Sequence, residues 1–411
     1  MGRPDITAFH RVNVRIAIVT ESFRPDVNGV AHSVVRVAEH LVRRGHYPLV
    51  IAPRPARRSS ADEGPAGGGP ADEGPAGGSP ADYPVVRVPS LPMPGYGRFR
   101  LGLPSPAIRS ALTSHRTELV HLASPFFLGA RGSAVAQHLG VPQVAVYQTD
   151  VPGYARAYHT GRLGEAAAWR WLRGIHNAAD RTLAPSTASA ARLHARGVPR
   201  VWLWGRGVDT ERFDPAKRSA GLRRSLAPGG EVLVGYVGRL AVEKRVDLLA
   251  QVATQPGTRL VIVGSGPAEA MLRRTLPSAI FLGQRQGGDL AEIFASLDIF
   301  VHSGCYETFG QTIQEAAASG LPVVAPAVGG PLDLVQDGVT GYLVTPGDAG
   351  ALATAVARLA ADPVLRAAQG RAARSAVVLR SWAAVGDALI DHYTAILAVA
   401  PRAAPQAGAR T

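Results

Sequence analysis

Short apolar runs recur along the chain, and each is followed by a polar turn and a longer amphipathic segment. Such runs occupy residues 14–19, 47–52, 232–236 and 299–301. Consecutive apolar residues bounded by turns are typical of strands that are buried on both faces of a parallel sheet. Helical periodicity fills the intervals, as in residues 31–44. The alternation predicts an α/β fold with doubly wound parallel sheets.

The length of the chain favours two domains, because 411 residues exceed what one hydrophobic core usually organises. We predict a first Rossmann-like domain over residues 1–200 and a second over residues 201–378. A last helix over residues 379–399 is expected to cross back to the first domain, and residues 400–411 to form a disordered tail.

A ten-residue sequence rich in Gly, Pro and Ala is repeated over residues 61–80 with one substitution. It contains no large apolar residue, so it cannot build a core. We interpret it as a disordered insertion in a surface loop.

The formal net charge is +13. This excess favours a polyanionic partner such as phosphate or an anionic lipid headgroup, and a solvated basic surface is the alternative. No zinc finger, RNA-binding signature or continuous basic helix occurs, so we expect no nucleic-acid partner.

The protein is predicted to be cytoplasmic, with contact to the inner face of the plasma membrane. Its one cysteine, Cys305, excludes a disulfide framework and favours a reducing compartment. No apolar run approaches the ~18 residues of a membrane span, and the polar N-terminus does not resemble a signal peptide.

Candidate chemistry is concentrated in residues 303–320, where a polar turn leads into a predicted helix over residues 309–319. Glu307 and Glu315 stand eight positions apart. Eight helical steps span about 12 Å, which is too far for a hydrolase acid and nucleophile that act on one bond. The spacing suits the two ends of one long polar ligand.

The residues between these carboxylates would present free N–H groups at a helix N-terminus, which is a ready anion site. They are Thr308, Phe309, Gly310, Gln311 and Thr312. A ligand with an anionic middle and hydroxyls at both ends fits this arrangement, and a nucleotide diphosphate sugar has that form.

Gly238 and Arg239 follow directly after a predicted strand, and Lys244 begins a predicted helix over residues 244–253. An arginine and a lysine on such a loop can clamp a diphosphate. Cations at a helix start oppose the helix dipole, so their position favours an anionic ligand over two solvated charges. No Asp-x-Asp pair or zinc helix occurs, so we expect no metal or other cofactor, and protein cations would neutralise the diphosphate.

Two other glycine-containing turns are less specific. Gly264 begins a partial dinucleotide fingerprint, but Glu269 stands where a small residue is needed, so we interpret the segment as a tight strand–helix turn. Asn28 and Gly29 precede a predicted helix, where they form either a phosphate contact or a plain turn.

Taken in order, these motifs resemble those of the retaining family 4 glycosyltransferases, which have the GT-B fold of two Rossmann-like domains and an interdomain cleft. The resemblance covers about residues 14–398. It is carried by Pro25 to Gly29, by Gly207-Val208-Asp209, by Gly238-Arg239-Leu240 with Lys244, and by Glu307 and Glu315.

The resemblance implies a role for each motif. Arg239 and Lys244, next to Gly238, would bind the donor diphosphate, and Gly29 would give a backbone N–H to its distal phosphate. Glu315 would bind the ribose diol. The donor sugar would contact Glu307, Phe309 and Gly310, and the proximal phosphate would face the Gln311 and Thr312 amides.

The chain departs from the family pattern at two places. Many members have Phe-His-Thr where this chain has Tyr147, Gln148 and Thr149, and that histidine lies against the donor sugar. We take the next residue, Asp150, as the candidate replacement. The usual Asn before Gly-Val-Asp is replaced by Arg206.

Within the family, residues 21–29, 96–104 and 147–152 are similar to bacterial GDP-mannose-dependent α-mannosyltransferases of glycolipid synthesis. They are also similar to UDP-sugar-dependent sulfoquinovosyltransferases. The resemblance implies transfer of a hexose, mannose from GDP-mannose, to a hydroxyl of a lipid-linked or glycolipid acceptor with retained configuration. The acceptor side would comprise Tyr96, Arg98, Arg100, Gln148, Thr149 and Asp150.

Arginines of the first domain suit contact with an anionic membrane, among them Arg98, Arg100, Arg109 and Arg116. A predicted helix over residues 155–173 adds Trp169 and Trp171, which fit either a membrane interface or a core.

Three rival functions remain at this stage. They are a nucleotide-sugar epimerase of the same fold, a nicotinamide oxidoreductase, which the incomplete Gly264 fingerprint disfavours, and a non-catalytic sugar-nucleotide sensor.

Overall fold

The computed structural model describes residues 13–26, 28–55, 83–92, 100–124, 126–153 and 161–399. The repeat over residues 61–80, the tail over residues 400–411, Tyr96 and Arg98 lie outside the described residues.

The first half of the chain is built around a seven-stranded parallel sheet with the order β3-β2-β1-β6-β7-β8-β9. Its strands are β1 Arg15–Val19, β2 Tyr47–Pro53, β3 Val85–Val88, β6 Leu119–Leu122, β7 Gln143–Val146, β8 Arg181–Ala184 and β9 Val201–Leu203. A two-stranded antiparallel ribbon of β4 Ser90–Pro92 and β5 Arg100–Gly102 lies outside this sheet.

The second half contains a six-stranded parallel sheet with the order β12-β11-β10-β13-β14-β15. Its strands are β10 Val232–Val237, β11 Thr258–Val263, β12 Ile280–Gly283, β13 Ile299–Val301, β14 Val323–Pro326 and β15 Gly341–Val344. The predicted doubly wound α/β architecture is confirmed.

Helices follow the strands in both halves. The first half has α1 Gly29–Arg43, α2 Pro106–Ser114, α3 Phe127–His138, α4 Gly161–Ala178 and α5 Thr187–Ala195. The second half has α6 Ala220–Leu226, α7 Ala250–Ala253, α8 Glu269–Thr275, α9 Gly287–Ser296, α10 Gln311–Ala318, α11 Pro331–Leu334, α12 Ala349–Ala361 and α13 Pro363–Val377. The last helix is α14 Trp382–Val399.

Each sheet has a hydrophobic layer on both faces, and the strand period of two divides the side chains between them. In β1, Ile16 and Ile18 join one cluster while Ala17 and Val19 join the other. This two-sided burial explains why the strands are continuous apolar runs.

Two predictions about the second half need correction. The boundary at residue 200 is too early, because Val201–Leu203 pairs with β8 and completes the first sheet. The helix predicted over residues 244–253 is broken. Arg245 has a left-handed backbone with φ of 48°, and it separates the 3₁₀ turn Val242–Lys244 from the 3₁₀ turn Val246–Leu249, which leads directly into α7.

The last helix packs on the first half of the chain. Tyr393 and His121 share a hydrogen bond of 2.6 Å between the phenol oxygen and Nδ1. Asp387 accepts from Arg44 and lies 2.8 Å from Nε2 of His40. Within the described ranges, no helix is long and apolar enough to cross a membrane.

Candidate active site

The loop between β13 and α10 carries Glu307 and ends at Gly310, whose φ is +103°. A left-handed residue lets the chain turn directly into the first turn of the helix. The backbone N–H of Gly330 donates to the carbonyl of Glu307 at 2.9 Å. A Cβ on Gly330 would lie 2.0 Å from the carbonyl oxygen of Phe309. The loop is therefore held by close backbone contact that only glycine at position 330 permits.

Glu307 forms an ion pair with Lys244, and 2.8 Å separates its carboxylate from Nζ. His302 lies behind this pair with Nε2 at 3.9 Å from Glu307. Burial acts to raise the pKa of Glu307, but the charges of Lys244 and His302 and the Lys244 hydrogen bond outweigh it and lower that pKa to about 2. Glu307 is therefore an ionised acceptor for ligand hydroxyls at any physiological pH.

Glu315 has a different electrostatic environment within α10. Its side chain is buried, and this burial raises its pKa to about 7 against the opposing effects of Gln311, Arg212 and Arg206. Because this carboxylate is half ionised near neutral pH, a pair of ligand hydroxyls can shift it toward the charged form by donating to it.

The loop after β10 places Arg239 with an exposed side chain beside the buried Leu240. Close packing against the next strand–helix turn shapes this loop. A Cβ on Gly264 would lie 1.9 Å from the carbonyl oxygen of Gly238, and one on Gly266 would lie 2.2 Å from that of Leu240. The incomplete fingerprint at Gly264 thus supports the Gly238–Leu240 segment through backbone contact.

Hydrogen bonds join the two halves of the chain at this site. The hydroxyl of Thr308 donates to the carbonyl of Gln148 at 3.1 Å. Arg206 donates to the side-chain oxygen of Gln148 at 2.6 Å. On the other side of Arg206, a Cβ on Gly29 would lie 2.7 Å from its NH1. The predicted phosphate contact of the first half therefore lies beside Arg206, whose carbonyl accepts from Gln314 of the helix that carries Glu315.

Asp150 has several partners within the first half. It is nearly fully buried, accepts from the Tyr147 hydroxyl and the Gly153 N–H at 3.0 Å each, and is ion-paired with Arg192. This network fixes the segment after β7, including the half-buried Thr149. Direct contact of Asp150 with the donor sugar stays a prediction.

Arg100, predicted on the acceptor side, lines a small cavity at the carboxyl edge of the first sheet. Arg54 and Arg87 line it too, together with Glu21 and Asp26. The guanidinium of Arg100 donates to the hydroxyl and carbonyl of Ser90, both at 2.8 Å. Guanidinium groups held in this way give the cavity a cationic wall.

Several site residues were not singled out by sequence reasoning. His302 belongs to none of the motifs described above. Its only sequence signal is its position directly after the apolar run at residues 299–301. Gly329 and Gly330 are visible as a glycine pair, but their backbone contacts with residues 307–309 depend on the fold. Arg206 was noted only as a departure from the family pattern. Among the described residues, no cluster of three His, Cys, Asp or Glu side chains could hold a metal ion.

The protein resembles known proteins over nearly its whole length. Residues 27–212 match the family described as glycosyltransferase family 4, and residues 220–376 match glycosyl transferases group 1. The GDP-mannose-dependent alpha-mannosyltransferase of Mycobacterium tuberculosis is 49% identical over 93% of this chain and 97% of its own length. The protein of the same name from Corynebacterium glutamicum is 42% identical over 95% of this chain and 91% of its own length.

The crystal structure of Anabaena HepE with UDP and glucose superimposes with a TM-score of 0.72 and 21% identity, covering 92% of this chain and 99% of that one. At that identity the likeness shows the fold. The predicted GT-B arrangement, with two Rossmann-like halves, is thereby confirmed.

Proposed function

The chain belongs to the group 1 and family 4 glycosyltransferases, and from this premise we propose that it transfers mannose from GDP-mannose to a hydroxyl of a lipid-linked or glycolipid acceptor, with retained anomeric configuration. The two relatives named for GDP-mannose support the donor. The observation that carries the proposal is that Glu307, ion-paired with Lys244, directly precedes the start of α10 while Glu315 lies inside that helix, so that a ligand with a charged middle and hydroxyl-bearing ends fits along the helix start.

We assign one carboxylate of the site to the hydroxyl groups at each end of the donor. The ionised Glu307, fixed by Lys244 at 2.8 Å, would accept from sugar hydroxyls. The buried Glu315 would accept from the ribose diol. The backbone N–H groups of Gln311 and Thr312 in the first turn of α10 would face the proximal phosphate, since four such groups at a helix start have no partner within the helix.

We propose a front-face mechanism. The bond between the anomeric carbon and the diphosphate oxygen breaks while the acceptor hydroxyl oxygen bonds to the same face of that carbon. The acceptor proton passes to the departing diphosphate, so no protein nucleophile is needed. Arg239 and Lys244 would stabilise the negative charge that develops on the leaving group, an effect worth about 10²–10³ in rate for each fixed donor.

Transfer can be tested with labelled GDP-mannose, lipid vesicles that contain candidate glycolipids, and EDTA. The proposal expects label in the lipid fraction and an α linkage by NMR. An epimerase would instead convert the donor sugar without lipid, and UDP-glucose serves as the control donor. Stable GDP-mannose binding with neither product would contradict the proposed reaction and favour a sensor.

An exposed aromatic and apolar surface is the feature that we propose to face the membrane, which would suit a lipid acceptor. The rings of Phe127 and Trp171 lie 5.5 Å apart and both side chains are exposed. Leu163 is 87% exposed on the same helix as Trp171, α4, and the exposed Arg170 directly precedes Trp171 in the sequence. Aromatic and apolar groups flanked by arginine suit the interface of an anionic bilayer. Trp169 is buried under Arg192 and Arg196, so the two tryptophans of α4 divide between core and surface.

The membrane proposal predicts that Trp171→Ala reduces co-sedimentation with vesicles containing phosphatidylglycerol. The expected reduction is several-fold, because the exposed indole would no longer be buried at the interface. Trp202→Ala, an exposed tryptophan on β9, is the matched control. Vesicle binding that changes neither with the substitution nor with the anionic lipid content would refute the proposal that this surface faces the membrane.

A further inference from the structure

The start of α5 is a second place where the two halves of the chain meet. The carboxylate of Asp333, in α11 of the second half, accepts from the backbone N–H of Thr187 at 2.6 Å and also from the Thr187 hydroxyl. Hydrogen bonds to a carboxylate are stronger than those between neutral groups, and this one lies at the positive end of a helix dipole. An acidic side chain of one half thus caps a helix of the other half.

The same helix start also holds the loop that carries Glu307. The hydroxyl oxygens of Ser186 and Ser189 lie 2.8 and 3.3 Å from the carbonyl oxygen of Thr308. The Thr308 hydroxyl donates in turn to the carbonyl of Gln148 in the first half at 3.1 Å. Because Thr308 directly follows Glu307, the position of this carboxylate relative to the first half depends on how α5 is seated.

Asp333 is connected to the Glu307 loop within the second half as well. The N–H of Gly330 donates to the carbonyl of Glu307 at 2.9 Å, and the carbonyl of Gly330 accepts from the Asp333 N–H at 3.1 Å. A Cβ on Gly330 would lie 2.0 Å from the carbonyl oxygen of Phe309. Backbone contacts therefore fix the position of Asp333 relative to that of Glu307.

The two parts of this contact between the halves differ in exposure. Ser186 is only 1% exposed, whereas Thr187 is exposed and Asp333 is half-buried. When the halves separate, water can replace the partners of Thr187 and Asp333, so no buried polar group is left unpaired. The Asp333 contact is therefore the part that can open and form again most readily.

We propose that Asp333 is a positioning residue of the donor site and acts through Thr187, by holding the two halves where the Glu307 loop faces the first half. This inference rests on the proposed function and adds a residue to it. Gly29 and Glu307 are proposed contacts of one donor from opposite halves, so the donor site is complete only in this arrangement. A protein that populates the arrangement less has an apparent affinity reduced by the same fraction, and saturating donor restores the arrangement.

The test compares wild type with Asp333→Ala, Thr187→Val and the double variant. Calorimetric titration measures the affinity for GDP, turnover of GDP-mannose gives kcat, and small-angle X-ray scattering of the ligand-free proteins gives the radius of gyration. For Asp333→Ala we expect GDP affinity to fall about 3- to 10-fold, as for the loss of one hydrogen bond. Its radius of gyration should increase, while kcat at saturating donor stays close to that of wild type.

Thr187→Val keeps the backbone N–H, so its loss of affinity should be smaller, and the double variant should match Asp333→Ala because both substitutions remove one contact. Asp289→Asn, an exposed aspartate of α9, is the control and should change neither affinity nor radius of gyration. Asp333→Asn keeps one acceptor oxygen and should retain part of the affinity. It also gives a reading if thermal midpoints show that Asp333→Ala does not fold.

An unchanged GDP affinity or an unchanged radius of gyration in Asp333→Ala would overturn the proposal. Losses of affinity that add in the double variant would overturn it as well, and so would a fall in kcat without a change in affinity. If wild type neither binds GDP nor turns over GDP-mannose, the proposed donor is wrong. The scattering comparison then still decides whether Asp333 holds the two halves together.

Discussion

At the scale of single residues, Glu307 in the loop and Glu315 in the helix that follows it have pKa values shifted in opposite directions. Glu307 is close to the Lys244 ammonium, and its pKa falls to about 2, whereas burial of Glu315 raises its pKa to about 7. At neutral pH the first is always charged and the second is divided between two forms. This asymmetry makes Glu315 the residue through which pH acts on the proposed donor site.

Glu315→Gln should stabilise the protein at pH 8 but not at pH 4.5. The folded pKa of Glu315, about 7, lies above the ordinary value of 4.5. The contribution of this group to the free energy of unfolding is therefore largest below pH 4.5. That stability is lost as the pH rises through 7. Glutamine is neutral throughout, so we expect a gain of about 1–3 kcal/mol at pH 8 by urea unfolding.

The matched control for this prediction is Glu211→Gln, an exposed glutamate whose substitution should not change stability at either pH. The same variant, Glu315→Gln, should also bind GDP-mannose more weakly, because an amide accepts ribose hydroxyls less well than a carboxylate. A stability difference that is equal at both pH values would contradict the assigned burial effect.

Gly264→Ala should be strongly destabilising. A Cβ there would lie 1.9 Å from the Gly238 carbonyl oxygen, and the backbone φ of +138° is unfavourable for any L side chain. We expect a loss of more than 2 kcal/mol in the free energy of unfolding, as is usual for strain against rigid backbone. Gly174→Ala in α4, where nothing lies within 4 Å, should be neutral or slightly stabilising. Wild-type stability of Gly264→Ala would refute the close packing of these two turns.

At the scale of elements, α14 is the one that ties the end of the chain to its first half. Its contacts are polar as well as apolar. Tyr393 bonds to His121, whose pKa burial lowers to about 3, so this imidazole is neutral. Asp387 contacts His40 of α1 and accepts from Arg44, the residue that caps the end of α1. Such specific polar contacts fix the register of a helix that its alanine-rich sequence would leave poorly defined.

Tyr393→Phe should therefore cost about 1–3 kcal/mol, because it leaves a buried imidazole nitrogen without its partner. Thermal or urea unfolding of the whole chain measures this loss. Asp391→Asn, exposed on the same helix, should change stability by less than about 0.5 kcal/mol. Equal, small effects of both substitutions would show that α14 is held by apolar packing alone.

Sequence reasoning located the strands well and the interrupted elements poorly. Apolar runs identified β1, β2, β10 and β13, because a strand that is buried on both faces is a continuous apolar run. The helix expected from Lys244 was wrong, since no local signal reveals the left-handed Arg245. The half-exposed β9 was assigned to the second domain, because only pairing with β8 decides where it belongs.

For the candidate site, the sequence supplied the residues but not their partners. Lys244 and Glu307 were assigned to different parts of the ligand, and the structure joins them in one ion pair across 62 intervening residues. The same limit applies to Gly29 and Arg206, whose proximity depends on how the halves meet. Motifs report side-chain chemistry at one position, whereas contacts between distant segments arise only from the packed fold.

At the scale of the whole molecule, two parallel sheets bring the loops that we propose to bind the ligand to one cleft. The loop before α1 comes from the first sheet, and the loops after β10 and β13 come from the second. Open α/β sheets bind ligands at the carboxyl ends of their strands. Two such edges that face each other can hold the donor on one side and the acceptor on the other, and closure between them would exclude water.

We propose that protein cations, rather than a metal ion, hold the donor diphosphate in this cleft during transfer. The most direct measurement is the turnover of saturating GDP-mannose in EDTA by wild type and by Arg239→Ala. If protein cations hold the diphosphate, wild type keeps full turnover in EDTA and the variant loses about 10²–10³ in kcat. Wild-type turnover that requires added magnesium, or a variant with near-wild-type kcat, would contradict it.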